Sequence, residues 1–542
     1  MESQKQSKGP AAGGPVLLDS GEQLNPYRWI ILCGLITAAI LEVLDTTIVN
    51  VSLPEMAGNL GATTEEIGWV STGYILSNVI VLPMTAWLSG RFGRKRYLTG
   101  SILLFIAASF FCGTSHSLGE LVFWRIVQGC GGAALLSTAQ ATLREIFPRE
   151  QQGTVQAIYI LGIIVAPTVG PTLGGWITDN YNWPWIFFVN IPIGLISAGI
   201  VYSFLEDAPY QVRSNVVDWL GIGLLASGLG SLQYVLEEGN RDDWFQSPTI
   251  SILAVIAAIA LTSMVFWELS PRNTHPIVNF RVLKNRDLSA SLFLFMALGF
   301  GLYGGIFIFP LFSQNILHFT PTLTGLTLLP GGVATGVSAI ICGRLVNPGR
   351  QLIPPRILIL FGMSLFVFSM WDLAHLTTAS GSSDAQFGLI VRGFGLGFLF
   401  TPINLAALNS LKGVEIPQGT ALMNLMRQLG GSFGIAVLGT YITNMTEVHR
   451  SALIAHISPS NPAYQHTMTT LTHAMMAKGL SPAAAQHAAI GVIAGDVQIQ
   501  AVTLSYDNAF LLIGLAVVVV SPAVLVLRNK MTSGPGMDVG GH

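Results

Sequence analysis

Long apolar runs are the feature that most restricts what this chain can fold into. A helix needs about 20 mainly apolar residues to cross the roughly 30 Å hydrocarbon core of a bilayer. The sequence contains fourteen such runs, at residues 29–53, 66–90, 97–116, 120–143, 152–177, 184–205, 216–236, 248–268, 288–313, 323–345, 356–376, 385–411, 418–442 and 504–527. The runs are continuous and do not alternate apolar with polar residues, which disfavours a membrane β-barrel. They predict an all-α integral membrane protein with 14 transmembrane helices.

The composition excludes the main soluble classes. Of the 542 residues, 51% are hydrophobic and 10% are charged, whereas a soluble protein carries about 25% charged residues. The net charge of -2 is too balanced for a nucleic-acid-binding protein, so we expect no nucleic acid partner. The four cysteines fall in or beside apolar runs and fit packing residues better than a disulfide set. The histidine spacings match no metal motif, so we expect no metal site.

The basic residues define an orientation. Of the 26 Lys and Arg residues, three lie in the interior of apolar runs, and only Arg241, Arg450 and Lys478 lie in one alternate set of loops. The other twenty fall in the opposite set of loops, at the ends of the runs that border those loops, and in the two tails. Because cytoplasmic loops are enriched in Lys and Arg, this bias predicts that both termini are cytoplasmic and that the number of spans is even. The first run lacks a small-residue cleavage site and predicts a retained helix, not a signal peptide.

The order of the runs predicts two halves separated by an insert. The expected units are a cytoplasmic tail at residues 1–28, a six-helix half at 29–206, two inserted helices with linkers at 207–287, a six-helix half at 288–530 and a cytoplasmic tail at 531–542. The loops at 86–94 and 343–350 share a small-x-Leu pattern followed by Gly and Arg, which indicates weak internal symmetry.

The longest outer loop, residues 443–503, predicts a helical hairpin with one apolar face. Ser481 and Pro482 form a helix start signal between its two arms. Such a face predicts either a partner-binding surface or packing back onto the spans of the same chain. Both possibilities stay open.

Charged residues inside the spans are the strongest functional signal. Arg125, Arg392 and Arg427 lie in predicted spans, and Glu42 and Asp45 lie in the first one. A central arginine costs about 2.5–3.5 kcal/mol on insertion scales, so such a residue normally faces a partner or a watery cavity. A carboxyl in a low-dielectric span can take up and release a proton. These residues therefore predict proton coupling.

Within this group the expected roles differ. Asp45 is the first choice for the coupling carboxyl, and a structural ion pair is the alternative for it. Glu42 is expected to be either a second coupling acid or a group that recognises the charge of the substrate. It shares a helical face with Asp45 because the two are three residues apart. We expect Arg125 to position the first-span acid or to take part in proton transfer.

Five segments together resemble the major facilitator superfamily, in its fourteen-span drug:proton antiporter branch of EmrB/QacA type. Residues 44–54 (LDTTIVNVSLP) are similar to the first-span signature of that branch, and 86–94 (AWLSGRFGR) to the superfamily's loop after span two. Residues 125–129 (RIVQG) are similar to its fourth-span motif, 166–175 (APTVGPTLGG) to the antiporter motif of span five, and 424–431 (NLMRQLGG) to the branch. Within the branch the chain is most similar to the EmrB subtype.

The resemblance implies a transporter, not an enzyme. It implies two six-helix halves with two extra helices between them, in a bacterial inner membrane. The expected activity is proton-coupled efflux of hydrophobic and amphipathic compounds from the cytoplasm or inner leaflet by alternating access, with a proton gradient and no cofactor. The expected partners are membrane lipid, an EmrA-like periplasmic adaptor and an outer-membrane channel. Alternatives are a dedicated exporter of a fatty acid, a siderophore or another metabolite and, more remotely, a non-transporting membrane sensor or scaffold.

Two segments carry expected conformational or gating roles. They are the second-loop residues Arg91, Gly93 and Arg94 and the span-five residues Pro167, Gly170, Pro171, Gly174 and Gly175. Tight helix packing is a compatible alternative for the span-five residues, because small residues let helices approach closely. The chain departs from the family where Gly90 replaces the usual aspartate of the second loop and where Asn347 occupies the matching place in the second half. The sequence therefore does not identify the residues that hold the inner gate closed.

The expected substrate cavity combines aromatic and polar side chains. Its predicted members are Tyr74, Tyr159, Tyr303, Asn404, Asn424 and Arg427. Helix packing is the alternative for the tyrosines. For Arg392 and Arg427 the alternatives are binding of an anionic substrate or pairing with polar groups such as Asn404 and Asn424, and we favour the pairing.

Overall fold

The computed structural model describes residues 25–207, 217–273, 275–346, 352–409, 411, 413, 415–458 and 460–528, and this part of the chain is helical with no strand. The long helices are labelled in chain order. They are Arg28–Leu60 (α1), Trp69–Phe92 (α2), Arg94–Gly113 (α3), Leu118–Ile146 (α4), Arg149–Asn180 (α5), Trp185–Phe204 (α6), Trp219–Glu238 (α7), Pro248–Leu269 (α8), Arg286–Asn315 (α9), Pro321–Leu345 (α10), Pro355–Leu373 (α11), Ser382–Asn409 (α12), Glu415–Ala455 (α13) and Pro482–Val520 (α14). The predicted tails and Asn347 lie largely or wholly outside the described residues.

The all-helical membrane fold predicted from the apolar runs is confirmed. In the described part of the chain, 12 of these helices are long and apolar enough to cross a membrane. Each predicted run overlaps one of the helices α1 to α14. Helices α5 and α13 hold the fifth and thirteenth runs and are not among the 12, so a count of 14 spans stays a prediction.

The helices form two bundles that meet along α5 and α10. In the N-terminal bundle, α1 packs on α5 and α6, and α4 packs on α2 and α3. In the C-terminal bundle, α9 packs on α13 and α14, and α12 packs on α10 and α11. Across the boundary between the bundles, α5 contacts α10 and α12, and α13 contacts α2 and α4.

Glycines in α5 allow close approach to α1. A Cβ at Gly170 would lie 2.1 Å from Thr47 Oγ1, and one at Gly174 would lie 2.7 Å from the Ile48 carbonyl oxygen. At Gly175 the nearest atom would be 3.7 Å away, which is an ordinary contact. Gly170 and Gly174 therefore have a packing role, and the gating role of this segment stays a prediction.

The inserted pair, α7 and α8, lies on one flank of the two bundles. Helix α7 packs against both α2 and α13, whereas α8 packs chiefly against α7. Thr72 Oγ1 on α2 donates a 3.3 Å hydrogen bond to Glu238 of α7, and Gln233 Nε2 of α7 donates a 2.7 Å bond to Ser432 Oγ on α13. Helix α7 is thus bonded to both bundles.

The predicted hairpin within residues 443–503 is continuous with two spans. A short helix, Pro462–Ala477, packs on the first part of α14, and Ser481 caps α14 by accepting a hydrogen bond from the Ala484 N–H. Helix α13 continues to Ala455, past the end of its apolar run at 442. The apolar run marks only the part of α13 that is expected to contact lipid, and the helix extends beyond that part. With 41 residues, α13 is roughly 60 Å long, about twice the hydrocarbon thickness.

A substitution at the boundary between the bundles tests this packing. A Cβ at Gly153 would lie 2.1 Å from the Gly343 carbonyl oxygen, so the backbones of α5 and α10 touch there. We expect Gly153→Val to destabilise the protein by about 1–3 kcal/mol, because the added methyl groups overpack a backbone contact. The measurement is the thermal unfolding midpoint of the detergent-solubilised protein. Gly100→Val is the control, because a Cβ at Gly100 meets nothing within 4 Å. Equal midpoints for the two variants would contradict the contact.

Candidate functional site

A buried ion pair joins the first and fourth helices. Arg125 Nη1 on α4 donates a 2.5 Å hydrogen bond to Asp45 Oδ2 on α1, and both side chains are buried. The Arg125 Nε donates to the Val70 carbonyl oxygen of α2 at 2.9 Å, and Nη1 also donates to Gln128 Oε1 at 2.6 Å. The Tyr74 ring centroid lies 4.3 Å from the guanidinium carbon, a cation–π distance. The guanidinium is thus held on several sides.

The partner carboxylate is equally well satisfied. Asp45 Oδ1 accepts hydrogen bonds from Gln128 Nε2 at 2.9 Å and from Asn190 Nδ2 of α6 at 3.1 Å. Gln128 Nε2 also donates to Ser109 Oγ of α3 at 2.7 Å. The network therefore links α1, α3, α4 and α6 through buried side chains, and it reaches α2 through the Val70 carbonyl oxygen. This is the geometry of the structural ion pair that was the alternative for Asp45, and the coupling role of Asp45 stays a prediction.

Glu42 lies one turn away in a different environment. Its Oε1 accepts a 3.3 Å hydrogen bond from Asn78 Nδ2, and its Oε2 accepts a 3.1 Å bond from the Leu136 N–H in the middle of α4. The Tyr159 hydroxyl donates to the Leu136 carbonyl oxygen at 2.9 Å. Arg427 of the C-terminal bundle lies close enough to attract the Glu42 carboxylate electrostatically. Glu42 therefore bonds within its own bundle, while the charge of Arg427 acts on it from the other bundle.

Arg427 and Asn424 on α13 contact both bundles. Arg427 Nη1 donates a 2.7 Å hydrogen bond to the Tyr303 hydroxyl of α9, and Nη2 lies 3.5 Å from Asn424 Oδ1. Asn424 Nδ2 donates to Gln140 Oε1 of α4 at 2.9 Å. The favoured pairing of Arg427 with polar groups is thus present. Asn404, on α12, is fully buried, and neither its amide nitrogen nor its amide oxygen has a partner in the described structure.

A narrow cavity separates the bundles beside these groups. Its volume is about 60 Å³, which holds a few water molecules and is far smaller than the roughly 300–1,000 Å³ of a drug-sized pocket. Helices of both bundles line it, with Val43, Ile163, Pro167, Leu302, Tyr303, Ile306, Leu328, Gly331, Gly332, Thr335, Leu389, Arg392, Gly393, Leu396, Phe400 and Arg427. The described conformation is therefore nearly closed at its centre.

The predicted cavity residues divide into two groups. Tyr303 and Arg427 line this cavity, and so does Pro167 of the expected gating segment. Tyr74, Tyr159, Asn404 and Asn424 are buried outside its lining. The apolar lining residues were not singled out from the sequence, because in spans that are apolar throughout nothing marks the few side chains that face a cavity.

Acidic groups distant in sequence surround the second-loop motif. Arg94, at the start of α3, forms an ion pair with Glu145 near the end of α4. Asp207 accepts a 2.9 Å hydrogen bond from the Lys95 N–H. Gly93 adopts a φ of +88°, which favours glycine at this turn. Arg91 stacks its guanidinium on Trp87, 5.5 Å from the ring centroid. Acids thus lie beside this motif although position 90 is a glycine.

The central ion pair makes a stability prediction. Asp45→Asn leaves Arg125 as an unpaired buried charge, so we expect a loss of about 3–5 kcal/mol. The double variant Asp45→Asn/Arg125→Met should lose less than Asp45→Asn alone, because it buries no unpaired charge. Thermal unfolding midpoints in detergent measure both effects.

The control for that prediction is an exposed acid. Glu447 lies 3.8 Å from Arg450 in an exposed pair on α13, so Glu447→Gln should change stability by less than about 0.5 kcal/mol. A native midpoint for Asp45→Asn would show that the buried pair does not stabilise the bundle.

Comparisons with known proteins agree with this architecture. Residues 35–435 match the family model described as Major Facilitator Superfamily. The multidrug export protein EmrB of Haemophilus influenzae is 34% identical over 83% of this chain and 87% of its own length. The fatty acid resistance protein FarB of Neisseria gonorrhoeae is 30% identical over 94% of this chain and 97% of its own length.

A further relative and a solved structure extend the likeness. The multidrug export protein EmrB of Escherichia coli K12 is 32% identical over 89% of this chain and 91% of its own length. The crystal structure of the human organic anion transporter MFSD10 matches with a TM-score of 0.53 at 14% identity, covering 91% of this chain and 100% of that one. At that identity the structure supports the fold alone.

Proposed function

Because the chain belongs to the major facilitator superfamily, whose members are membrane transporters and not enzymes, we propose that it is a proton-coupled exporter of hydrophobic and amphipathic compounds. Relatives named as multidrug export proteins, at 32–34% identity over most of the chain, support this activity. Two bundles around a central cavity support alternating access, in which the cavity opens to one side of the membrane at a time.

The observation that carries the proposal is a protonatable group at the boundary between the bundles. The Glu42 carboxylate accepts a hydrogen bond from the Leu136 N–H of α4, the helix that bonds to α13 through Gln140 and Asn424, and it is attracted by Arg427 of α13. Protonation of Glu42 removes this attraction and therefore weakens the contact between the bundles. A proton arriving at Glu42 is thereby coupled to separation of the two halves, which is the step that an antiporter needs.

The geometry favours Glu42 over Asp45 as the coupling acid. Asp45 is bound by Arg125, Gln128 and Asn190 inside one bundle, so protonating it would leave Arg125 as an unpaired buried charge. Glu42 accepts longer hydrogen bonds, of 3.1 and 3.3 Å, from two neutral donors, and Arg427 of the other bundle attracts its carboxylate. This reverses the order expected from the sequence, in which Asp45 came first.

The coupling proposal is tested in everted membrane vesicles with an imposed pH gradient. For the native protein we expect a hydrophobic drug to release protons from the vesicle lumen. Glu42→Gln should lower this drug-dependent proton release at least about tenfold, because the neutral amide holds no exchangeable proton at the boundary. Correctly folded Asp45→Asn and the exposed control Glu447→Gln should retain it. Undiminished proton release in Glu42→Gln would exclude Glu42 as the coupling acid.

We also propose a bacterial inner-membrane location with both termini cytoplasmic, and assembly with a periplasmic adaptor and an outer-membrane channel. The distribution of Lys and Arg supports the orientation. Support for a partner comes from the outer ends of α13 and α14, which extend well beyond the hydrocarbon, and from the helix Pro462–Ala477 between them, none of whose side chains is fully buried. A surface built outside the membrane from one short and two long helices suits an elongated adaptor.

The partner proposal predicts a separation of two activities. Replacing residues 458–480 by a short Gly/Ser linker removes the short helix and leaves α13 and α14 in place. We expect loss of drug resistance in whole cells but native drug-dependent proton release in everted vesicles, since only the former requires passage across the periplasm. Unchanged resistance in whole cells would contradict a role of this helix in assembly.

A further inference from the structure

Arg392 on α12 is a buried cation without a counter-charge. Its side chain is 6% exposed, and its Nη1 has no hydrogen-bond partner. No ion pair or hydrogen bond to this guanidinium occurs in the part of the chain that the structure describes. Arg125, equally buried, makes three hydrogen bonds, one of them to a carboxylate. The cost of burying an unpaired guanidinium therefore has no compensation within the described fold.

The fold provides space for this guanidinium. A Cβ at Gly305 of α9 would lie 2.9 Å from Arg392 Cζ, so the glycine leaves room for the charged group at the helix boundary. Arg392 lines the central cavity together with Arg427 and Tyr303. The guanidinium is thus held at the wall of a cavity and not in contact with lipid.

A second guanidinium on the same wall is only partly satisfied. Arg427 donates to the Tyr303 hydroxyl through Nη1, while its buried Nε has no partner. The Tyr303 hydroxyl accepts that bond and keeps its own proton for donation. Glu42 attracts Arg427, but one carboxylate balances one of the two arginines. The wall therefore carries a net positive charge and free donors.

The remainder of the lining is apolar. Leucine, isoleucine and phenylalanine side chains face the same space from α9, α10 and α12, at Leu302, Ile306, Leu328, Leu389, Leu396 and Phe400. A ligand that satisfies the whole lining has an anionic group at one end and a hydrocarbon body. Guanidinium groups bind carboxylates through paired hydrogen bonds, which fixes the orientation of such a ligand.

We propose that Arg392, with Arg427 and Tyr303, forms a binding site for the anionic headgroup of amphipathic organic acids, whose hydrocarbon part lies along the apolar lining. The proposal rests on the proposed export function, of which it specifies one substrate class. The donors stand in place in the nearly closed conformation, and the cavity enlarges when the bundles separate. Arg392 then gains in the ligand the counter-charge that the described fold does not supply.

The test measures binding to the full-length protein in lipid nanodiscs, without a proton gradient. The probes are decanoate, at a pH at which it is ionised, and decyltrimethylammonium, a cation with the same chain length. For Arg392→Gln we expect the Kd for decanoate to rise at least about tenfold, with the Kd for the cation unchanged or lowered. Arg392→Lys, which keeps the charge and loses the planar donor geometry, should give an intermediate Kd for decanoate. Arg450→Gln, at an exposed arginine of α13, should bind both probes as the native protein does.

Two results would overturn the anion site. One is a native decanoate Kd in Arg392→Gln, and the other is an equal loss of both probes in a variant with a native thermal midpoint. The proposed export function fails separately, through the vesicle assay. Loss of decanoate binding in Arg392→Gln, in a protein that moves no proton with any drug, would support the anion site and contradict the export function. Drug-dependent proton release by a native protein that does not bind decanoate would overturn the anion site alone.

Discussion

The buried pair of Arg125 and Asp45 is the interaction on which the N-terminal bundle depends. In a hydrocarbon-spanning bundle, lipid cannot solvate a charge, so a buried ion is stabilised by a protein partner or by a water-filled cavity. Here the pair and its neighbours Gln128, Ser109 and Asn190 connect four helices through hydrogen bonds between buried side chains, and Arg125 connects a fifth through the Val70 carbonyl oxygen. Hydrophobic packing between membrane helices is not directional, whereas this network sets their register and rotation. The bundle can therefore move as a unit.

The C-terminal bundle treats its buried charges differently. Arg392 lacks a counter-charge, and Arg427 reaches across toward the other bundle through Asn424 and Glu42. The N-terminal bundle thus pairs Arg125 with Asp45 in its interior, whereas the C-terminal bundle places Arg392 and Arg427 at the central cavity. This division places the fully paired charges inside one bundle and the partly paired charges at the boundary, where the proposed recognition and coupling would occur.

The fold could be predicted from the sequence because each helix that contacts lipid requires a long, continuous run of apolar residues. Each apolar run coincides with a helix, and the charges inside the runs identified Asp45, Arg125 and Glu42. The side chains that bond to the charged residues could not be predicted from the sequence, because they lie far along the chain. Asn190 is 145 residues from Asp45, and Glu145 is 51 residues from Arg94. The expectation that Arg392 pairs with polar groups did not hold in the described structure, because no polar side chain on the facing helices reaches it. Helix length beyond the membrane was also hidden, since residues 443–455 of α13 are helical without being continuously apolar.

The position of α7 breaks the symmetry between the two lateral sides of the molecule. The two bundles contact each other along two lateral lines, one between α2 and α13 and one between α5 and α10. Helix α7 bonds to α2 and to α13, and α8 covers it from outside. The contact line between α2 and α13 is therefore covered by two further helices, so lateral entry of a solute from the bilayer is obstructed on this side. Because α7 bonds to both bundles on that side, the proposed alternating access would separate them more readily at α5 and α10, as a one-sided hinge opens.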